Sequence, residues 1–194
     1  MKNSLKKMKY LLLFIFFRLI KPECLIAQIS SNKDYTLYYL TTNFKLKKQK
    51  ISICNTQSAE IRIWILHGYI TCKDCFIQLD NYFKHNQFKY NLVIATSYEK
   101  HKVIQKYNYL KNTLSYCNKF YFEFPINKKL DKQVELMQLN SYQLFKDLKV
   151  GDKTPALIIC NQNHDNYKII YYQDIFDSNG NIQLKLDSMI KHMK

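Results

Sequence analysis

The chain has 194 residues, 47% of them hydrophobic, with 16 Tyr and 12 Phe against 3 Gly and 3 Pro, which fits one ordinary domain with a sizeable core plus a short extra segment and excludes collagen-like, Gly/Ser-linker and Pro-rich chains. The net charge is +15, yet of 30 basic residues only Arg18 and Arg62 are arginine, and the lysines are scattered, with short runs such as KLKKQK at 45–50. Arginine is the residue suited to bidentate phosphate and base contacts, so the charge reads as a solvated basic surface, and no nucleic acid is expected as a partner.

Lys2, Lys6, Lys7 and Lys9 precede the apolar run LLLFIFF at 11–17. A bilayer-spanning helix needs about 20 apolar residues, so this pattern fits a secretory signal. LIAQ at 25–28 offers a cleavage point after Ala27. Residues 1–27 are therefore expected to direct export to the periplasm or cell envelope, either as a removed signal peptide or as an anchor that tethers the protein to the membrane. Residues 28–58 form an extension: YTLYYL at 35–40 and KISIC at 50–54 read as strands of a hairpin joined by a Lys-rich turn.

The main domain is expected over 59–194. IRIWILH at 61–67 is a near-continuous β-branched apolar run, as in a strand covered on both faces. After CKDC at 72–75, Phe76, Leu79, Tyr82 and Phe83 follow helical spacing. YNLVIAT at 90–96 is a second buried-type strand. Val103, Ile104, Tyr107, Leu110 and Leu114 mark a helix over 98–114, and KFYFEFP at 119–125 is a third strand. Leu130, Val134, Met137, Ser141, Leu144, Phe145 and Leu148 mark a long helix, with Gly151 placed to stop it. ALIIC at 156–160 and YKIIYY at 167–172 form a hairpin around the loop NQNHDN. Residues 181–193 close the chain as a helix with Ile182, Leu186, Met189, Ile190 and Met193 on one side. Alternating strands and helices followed by adjacent strands make an α/β sandwich with a mixed sheet.

The chemistry centres on Cys72 and Cys75. Cys72 falls at a strand-to-helix junction and Cys75 in the first helical turn. A thiol there has its pKa drawn from about 8.5 to roughly 3.5–7.5 by the unsatisfied N–H groups and the positive end of the helix dipole. Cys75 can reach back and close a small disulfide, so Cys72 is the expected attacking sulfur and Cys75 the resolving one. Lys73 favours the thiolate and Asp74 opposes it. Metal binding is the competing reading: Cys160 and His164 (C-x3-H) would complete a four-ligand zinc set with Cys72 and Cys75. The two halves are far apart and lie on different elements, so neither metal nor bound cofactor is expected. Cys54, Cys117 and Cys160 read as packing residues, with a Cys54–Cys117 disulfide as an open alternative.

KTPAL at 153–157 places a proline at the first residue of an internal strand, a position where its missing N–H is tolerated. A cis Thr154–Pro155 bond there would be a deliberate feature.

Together these features resemble the thioredoxin superfamily: a buried strand running into a helix-opening CKDC, a later Thr-Pro opening a strand, then a hairpin and a terminal helix. The resemblance covers roughly residues 59–193 and implies a thioredoxin-like three-layer sandwich with a mixed central sheet and an N-terminal β extension. Carried over, Cys72 attacks, Cys75 resolves, and Thr154 and Pro155 bind extended substrate backbone. The extra strand and helix between Cys75 and Pro155 resemble exported thioredoxin-like oxidoreductases related to peroxiredoxins and cytochrome-maturation reductases. Thr71 stands where a tryptophan is usual, Lys73-Asp74 replaces Gly-Pro, and IWILHG holds no carboxylate; Thr71, Lys73, Asp74 and His67 are the candidate modulators. The implied activity is thiol–disulfide exchange with protein thiol or disulfide substrates and a redox partner protein. The alternative is a catalytically weak thioredoxin-like binding or scaffold module of the cell envelope.

Overall fold

The computed structural model describes residues 33–54, 61–68, 73–97, 99–126, 139–151, 153–160 and 167–179, together with 182, 186, 188 and 190. Residues 1–27, with the expected signal or anchor, lie outside the described residues. Among those described, no helix is long and apolar enough to cross a membrane.

The elements are β1 (Asp34–Leu40), β2 (Leu46–Ser52), β3 (Arg62–His67), α1 (Lys73–His85), β4 (Tyr90–Ala95), α2 (Lys100–Thr113), β5 (Cys117–Glu123), a 3-10 turn (Leu139–Ser141), α3 (Gln143–Asp147), β6 (Ala156–Cys160), β7 (Tyr167–Ile170) and α4 (Tyr172–Ile175). One mixed sheet runs β2-β1-β5-β4-β3-β6-β7. The three central strands β5, β4 and β3 are parallel, and β6 runs antiparallel to β3. This order follows from the alternation seen in the sequence, because parallel neighbours need a crossover helix and the late hairpin does not.

Continuous apolar strands serve both faces of the sheet. Ile63, Ile65, Leu92, Ile94, Leu157 and Ile159 pack with Phe76, Leu79 and Phe83 of α1, Val103 and Leu110 of α2, and Leu186 and Ile190 near the C-terminus. Trp64, Leu66, Val93, Ala95 and Ile158 face the other way, toward Leu139, Leu144, Phe145 and Ile53. Strand register thus sends alternate residues to two cores, giving the expected three layers.

Several boundaries differ from the sequence expectation. KLKKQK is not the turn of the N-terminal hairpin; it runs into and forms most of β2, and the turn lies at Thr41–Phe44, where Phe44 takes φ 52°. An edge strand with lysines on its exposed side is protected against further pairing. The long helix expected to run on to Leu148 is broken within its described part: Tyr142 is extended (φ −105°, ψ 130°) between the 3-10 turn and α3. Its stop is Lys149, not Gly151. Lys149 takes the left-handed conformation (φ 51°), and the Val150 N–H reaches back to the Phe145 carbonyl, closing the helix end in the usual αL manner. Tyr171 and Tyr172 leave the strand, and α4 begins there. Ile182 pairs in a bridge with Phe176 and so lies ahead of the terminal helix.

The hairpin is more than a flat extension. β1 meets β5 at Tyr38–Phe122, but its open end turns over the sheet face. Tyr35, Leu37 and Ile53 enter the second core, Trp64 Nε1 donates to the Ile53 carbonyl at 2.9 Å, and Lys33 pairs with Asp147 of α3 at 2.6 Å.

Candidate active site

The site is assembled where β3 ends. The β3–β6 register, Arg62↔Cys160 through Leu66↔Ala156, places Gly68 opposite Thr154 when continued two residues. A Cβ at Gly68 would fall 2.7 Å from Leu139 Cδ1 and 2.9 Å from Thr154 Oγ1, closer than real contacts allow, so any larger residue there would have to displace one or both of these side chains. The loop entering β6 therefore lies directly against the strand that leads to the cysteine motif. The Thr154–Pro155 bond is cis, Pro155 is buried and Thr154 half-buried. The loop is anchored by Lys153, whose N–H donates to Val150 at 3.0 Å and whose carbonyl receives the Tyr172 N–H at 3.5 Å.

Cys75 is the third residue of α1, so the motif does open a helix. It is 1% exposed and disulfide-bonded. Cys54 pairs with Cys160, and Cys117 is a free thiol, so the partner of Cys75 lies outside the described residues, as do Thr71 and Cys72. Lys73 opens α1, and Asp74 in its first turn is exposed, where its charge favours the helix terminus. The Tyr172 hydroxyl lies 3.9 Å from Cys75 Sγ. A disulfide sulfur carries no proton, so the phenol is the donor of this weak contact. Tyr172 thus joins the proline loop to the buried sulfur.

A strand that runs into a helix carrying a disulfide-bonded cysteine lies beside an antiparallel strand opened by Thr154–Pro155, with a hairpin and the buried Leu186 and Ile190 following. The fold is thioredoxin-like. No protein-family model and no curated protein sequence matches the chain. Similar solved structures include the mitochondrial 2-Cys peroxiredoxin of Plasmodium falciparum, at 13% identity and TM-score 0.42 over 82% of this chain and 88% of that one. The reduced 2-Cys peroxiredoxin of Plasmodium vivax gives 10% identity and TM-score 0.42, covering 82% and 79%. A thioredoxin-like protein of Porphyromonas gingivalis gives 12% and 0.41, covering 84% and 90%.

In this thioredoxin-like frame His67, the one titratable residue at the end of β3, is buried at 4% exposure and stacks edge-on against Phe76 at 4.3 Å. Burial, and behind it the charge of Lys106, lowers its pKa to about 3. It is therefore a neutral imidazole, whose Nδ1 has no partner, and not a cation supporting a thiolate. Lys106 is itself lowered by burial and by Lys102.

Two buried carboxyls lie outside the motif strand. Asp80, on the α1 stripe between Leu79 and Phe83, accepts from Tyr90 Oη (2.7 Å), Ser115 N (2.8 Å), Ser115 Oγ (3.1 Å) and Tyr116 N (2.9 Å). It pins α1 to the opposite edge of the sheet from the site. Glu123 closes β5 at the site edge, 3% exposed, and its Oε1 accepts the Leu144 N–H at 2.8 Å. Burial, against the pull of the Leu144 hydrogen bond, raises its pKa to about 8. Its Oε2 is unpartnered, as are the buried hydroxyls of Thr96 and Ser97, which follow β4. Register places Glu123, Ala95 and Gly68 abreast on one face. The readable signal was a charged residue inside an apolar pattern: FYFEFP for Glu123, the helical stripe for Asp80.

The remaining cysteines correct the sequence reading. Cys54 bonds Cys160, 106 residues away, and not Cys117. Burial pushes the Cys117 thiol up to about 12, so it is inert as a nucleophile. The zinc set is disfavoured on positive grounds: the sulfurs of Cys75 and Cys160 are both in disulfides, and a ligating cysteine must be a thiolate. Among the described residues no other metal-ligating group of side chains is present.

Proposed function

We propose that the protein is an exported thiol–disulfide oxidoreductase whose redox couple is Cys72–Cys75. The observation that carries this reading is the disulfide-bonded Cys75 in the first turn of α1, on the helix that follows β3, with the Thr154–Pro155 loop packed against the end of that strand. In the reduced enzyme the Cys72 thiolate attacks a substrate disulfide. A mixed disulfide forms and one substrate thiolate leaves. The Cys75 thiolate then attacks Cys72 Sγ, releasing the second substrate thiol and closing Cys72–Cys75; the substrate gains two electrons and the enzyme loses two. An external dithiol protein returns the enzyme to its reduced form. Thr154 and Pro155 hold the substrate chain extended beside the couple. Export through residues 1–27 agrees with two disulfide-bonded positions, Cys75 and the Cys54–Cys160 pair, since such bonds persist in oxidising compartments.

The test is insulin-disulfide reduction by the full chain with dithiothreitol as reductant. Cys72→Ser is expected to lower the rate at least about 100-fold, with a single mixed disulfide no longer trapped by Cys75→Ser when both are replaced. Equal activity of Cys72→Ser and wild type overturns the assignment. Loss of turnover already in wild type, with Cys72→Ser still retaining a bound partner, moves the protein to the binding-module reading.

A further inference from the structure

The tip of the β1–β2 hairpin joins an exposed aromatic ring to a cluster of lysines. Thr41–Phe44 turn the chain, with the Phe44 N–H donating to the Thr41 carbonyl at 2.9 Å. Phe44 is 43% exposed, one of three large hydrophobic side chains in solvent among the described residues. Its backbone is left-handed (φ 52°), a conformation that glycine or asparagine adopts at lower cost than an aromatic residue. Folding therefore favours neither the exposure of this ring nor its backbone, and such a position points to a contact outside the fold.

The lysines follow at once. Lys45, Lys47, Lys48 and Lys50 are exposed, and no ion pair of the described residues includes them. Among the described strands β2 is outermost, so its outer side meets no neighbouring strand. Lys47 and Lys48 project to opposite faces, and their flexible stems reach round the same edge. Residues 41–50 hold no acidic residue, and Asp34, the hairpin's one carboxylate, lies across from Ser52 at the other end. Lys33 and Lys119 stand outside the set: the first pairs with Asp147, and the second donates to Gln49 and rests over Tyr39.

Four cations without local counter-charge concentrate anions at the tip. The lysines guard the edge against a further strand, and the set holds no arginine for bidentate phosphate or base contacts. What it combines is diffuse ammonium charge with an apolar ring. An anionic bilayer offers a counterpart to each: charged headgroups for the lysines, and an interfacial layer that accepts aromatic side chains.

We propose that the hairpin tip docks on an anionic phospholipid surface, with Phe44 entering the headgroup layer and Lys45, Lys47, Lys48 and Lys50 lying against its phosphates. The contact is separate from residues 1–27 and does not rest on the redox couple. The test puts a reporter on the tip: Phe44→Trp in the full chain, titrated with phosphatidylglycerol–phosphatidylcholine vesicles and with phosphatidylcholine vesicles. Trp64 is 3% exposed, so wild type supplies the background. A blue shift of the reporter is expected with the anionic vesicles and not with the neutral ones. A lysine at an anionic surface is worth about fivefold in affinity, so Lys45→Gln, Lys47→Gln and Lys48→Gln together are expected to raise the vesicle concentration for half the shift at least about tenfold, with the melting temperature unchanged. An unshifted reporter on anionic vesicles, the result of binding through residues 1–27 alone, overturns the proposal. So does an equal shift on neutral vesicles, or an unchanged midpoint in the folded lysine variant. An equal response to polyglutamate or an oligonucleotide without lipid makes the occupant an acidic macromolecule and overturns the lipid assignment.

Discussion

Glu123 shows what a single buried charge does to this molecule. Its carboxyl is 3% exposed and its pKa stands at about 8, against about 4.3 for an unfolded glutamate. Between those two pH values the unfolded chain has released a proton that the folded chain still holds. The unfolded state binds fewer protons, so the contribution of Glu123 to stability is fully present below about pH 4 and is lost as pH rises to about 8. His67 acts in the opposite sense. With a folded pKa of about 3 it costs stability as pH falls below about 6.5. Glu123→Gln keeps an oxygen for the Leu144 N–H and removes the titration. It is expected to match wild type in thermal melts at pH 4 and to exceed it by roughly 2–4 kcal/mol at pH 8; a difference that does not change between those pH values refutes this. At this scale the sequence was half legible. It marked His67 as the titratable residue at the end of β3, and the structure shows why that residue stays neutral: Phe76 and the α1 core enclose it. It did not mark Glu123 or Asp80 as buried, because a charge within an apolar pattern reads as an exposed edge until the topology places a second layer over it.

At the scale of elements, periodicity identified β3, α1, β4, α2, β5, β6 and β7 in order, because each buries at least one face and burial writes the pattern. The failures sit where local backbone chemistry outweighs periodicity. KLKKQK is polar apart from Leu46, yet it forms most of β2, which pairs along β1 over Asp34↔Ser52 to Leu40↔Leu46, so backbone hydrogen bonding made a strand that hydrophobicity could not announce. Lys149 takes a left-handed stop that sequence assigns to the nearby Gly151. The junction of β3 with the loop before β6 was foreshadowed by Thr154-Pro155, while the part Gly68 plays in it was not read, because its meaning needs the β3–β6 register. Gly68→Ala tests that junction. The added methyl meets Leu139 Cδ1 at 2.7 Å and Thr154 Oγ1 at 2.9 Å, two side-chain atoms that must shift to make room. An overpacked site of this kind costs about 1–3 kcal/mol. Because one of the displaced groups is Thr154, the expected result is a lower melting temperature together with a raised KM for a disulfide substrate. Wild-type stability and KM in Gly68→Ala refute the packing described for this loop.

At the scale of the whole molecule, the Cys54–Cys160 disulfide joins parts of the chain that the sheet order would keep apart. β2 is the outermost strand on one side, and β6 lies five positions along. On a flat sheet, with neighbours about 4.8 Å apart, those strands would be roughly 24 Å from each other, beyond the reach of any disulfide. They meet because the hairpin's open end folds over the face, carrying Ile53 onto Trp64 and Cys54 to a Cα–Cα distance of 5.5 Å from Cys160. No sequence pattern encodes that fold-over, which is why the pairing with Cys117 remained as open as any other. The bond closes 106 residues of chain, and by the loop-entropy account a closure of that length stabilises by about 4–5 kcal/mol, with 2–5 usual for removal of a native disulfide. Cys54→Ala with Cys160→Ala is therefore expected to lower the melting temperature by roughly 5–15 °C, given about 2–4 °C per kcal/mol for a chain of this size. Both residues lie away from α1, so insulin-disulfide reduction below the new melting point should stay near wild type. That pair of results separates a staple from a redox couple. Lost reduction in a folded double variant transfers the electron-carrying role to Cys54–Cys160, and an unchanged melting temperature removes its structural one.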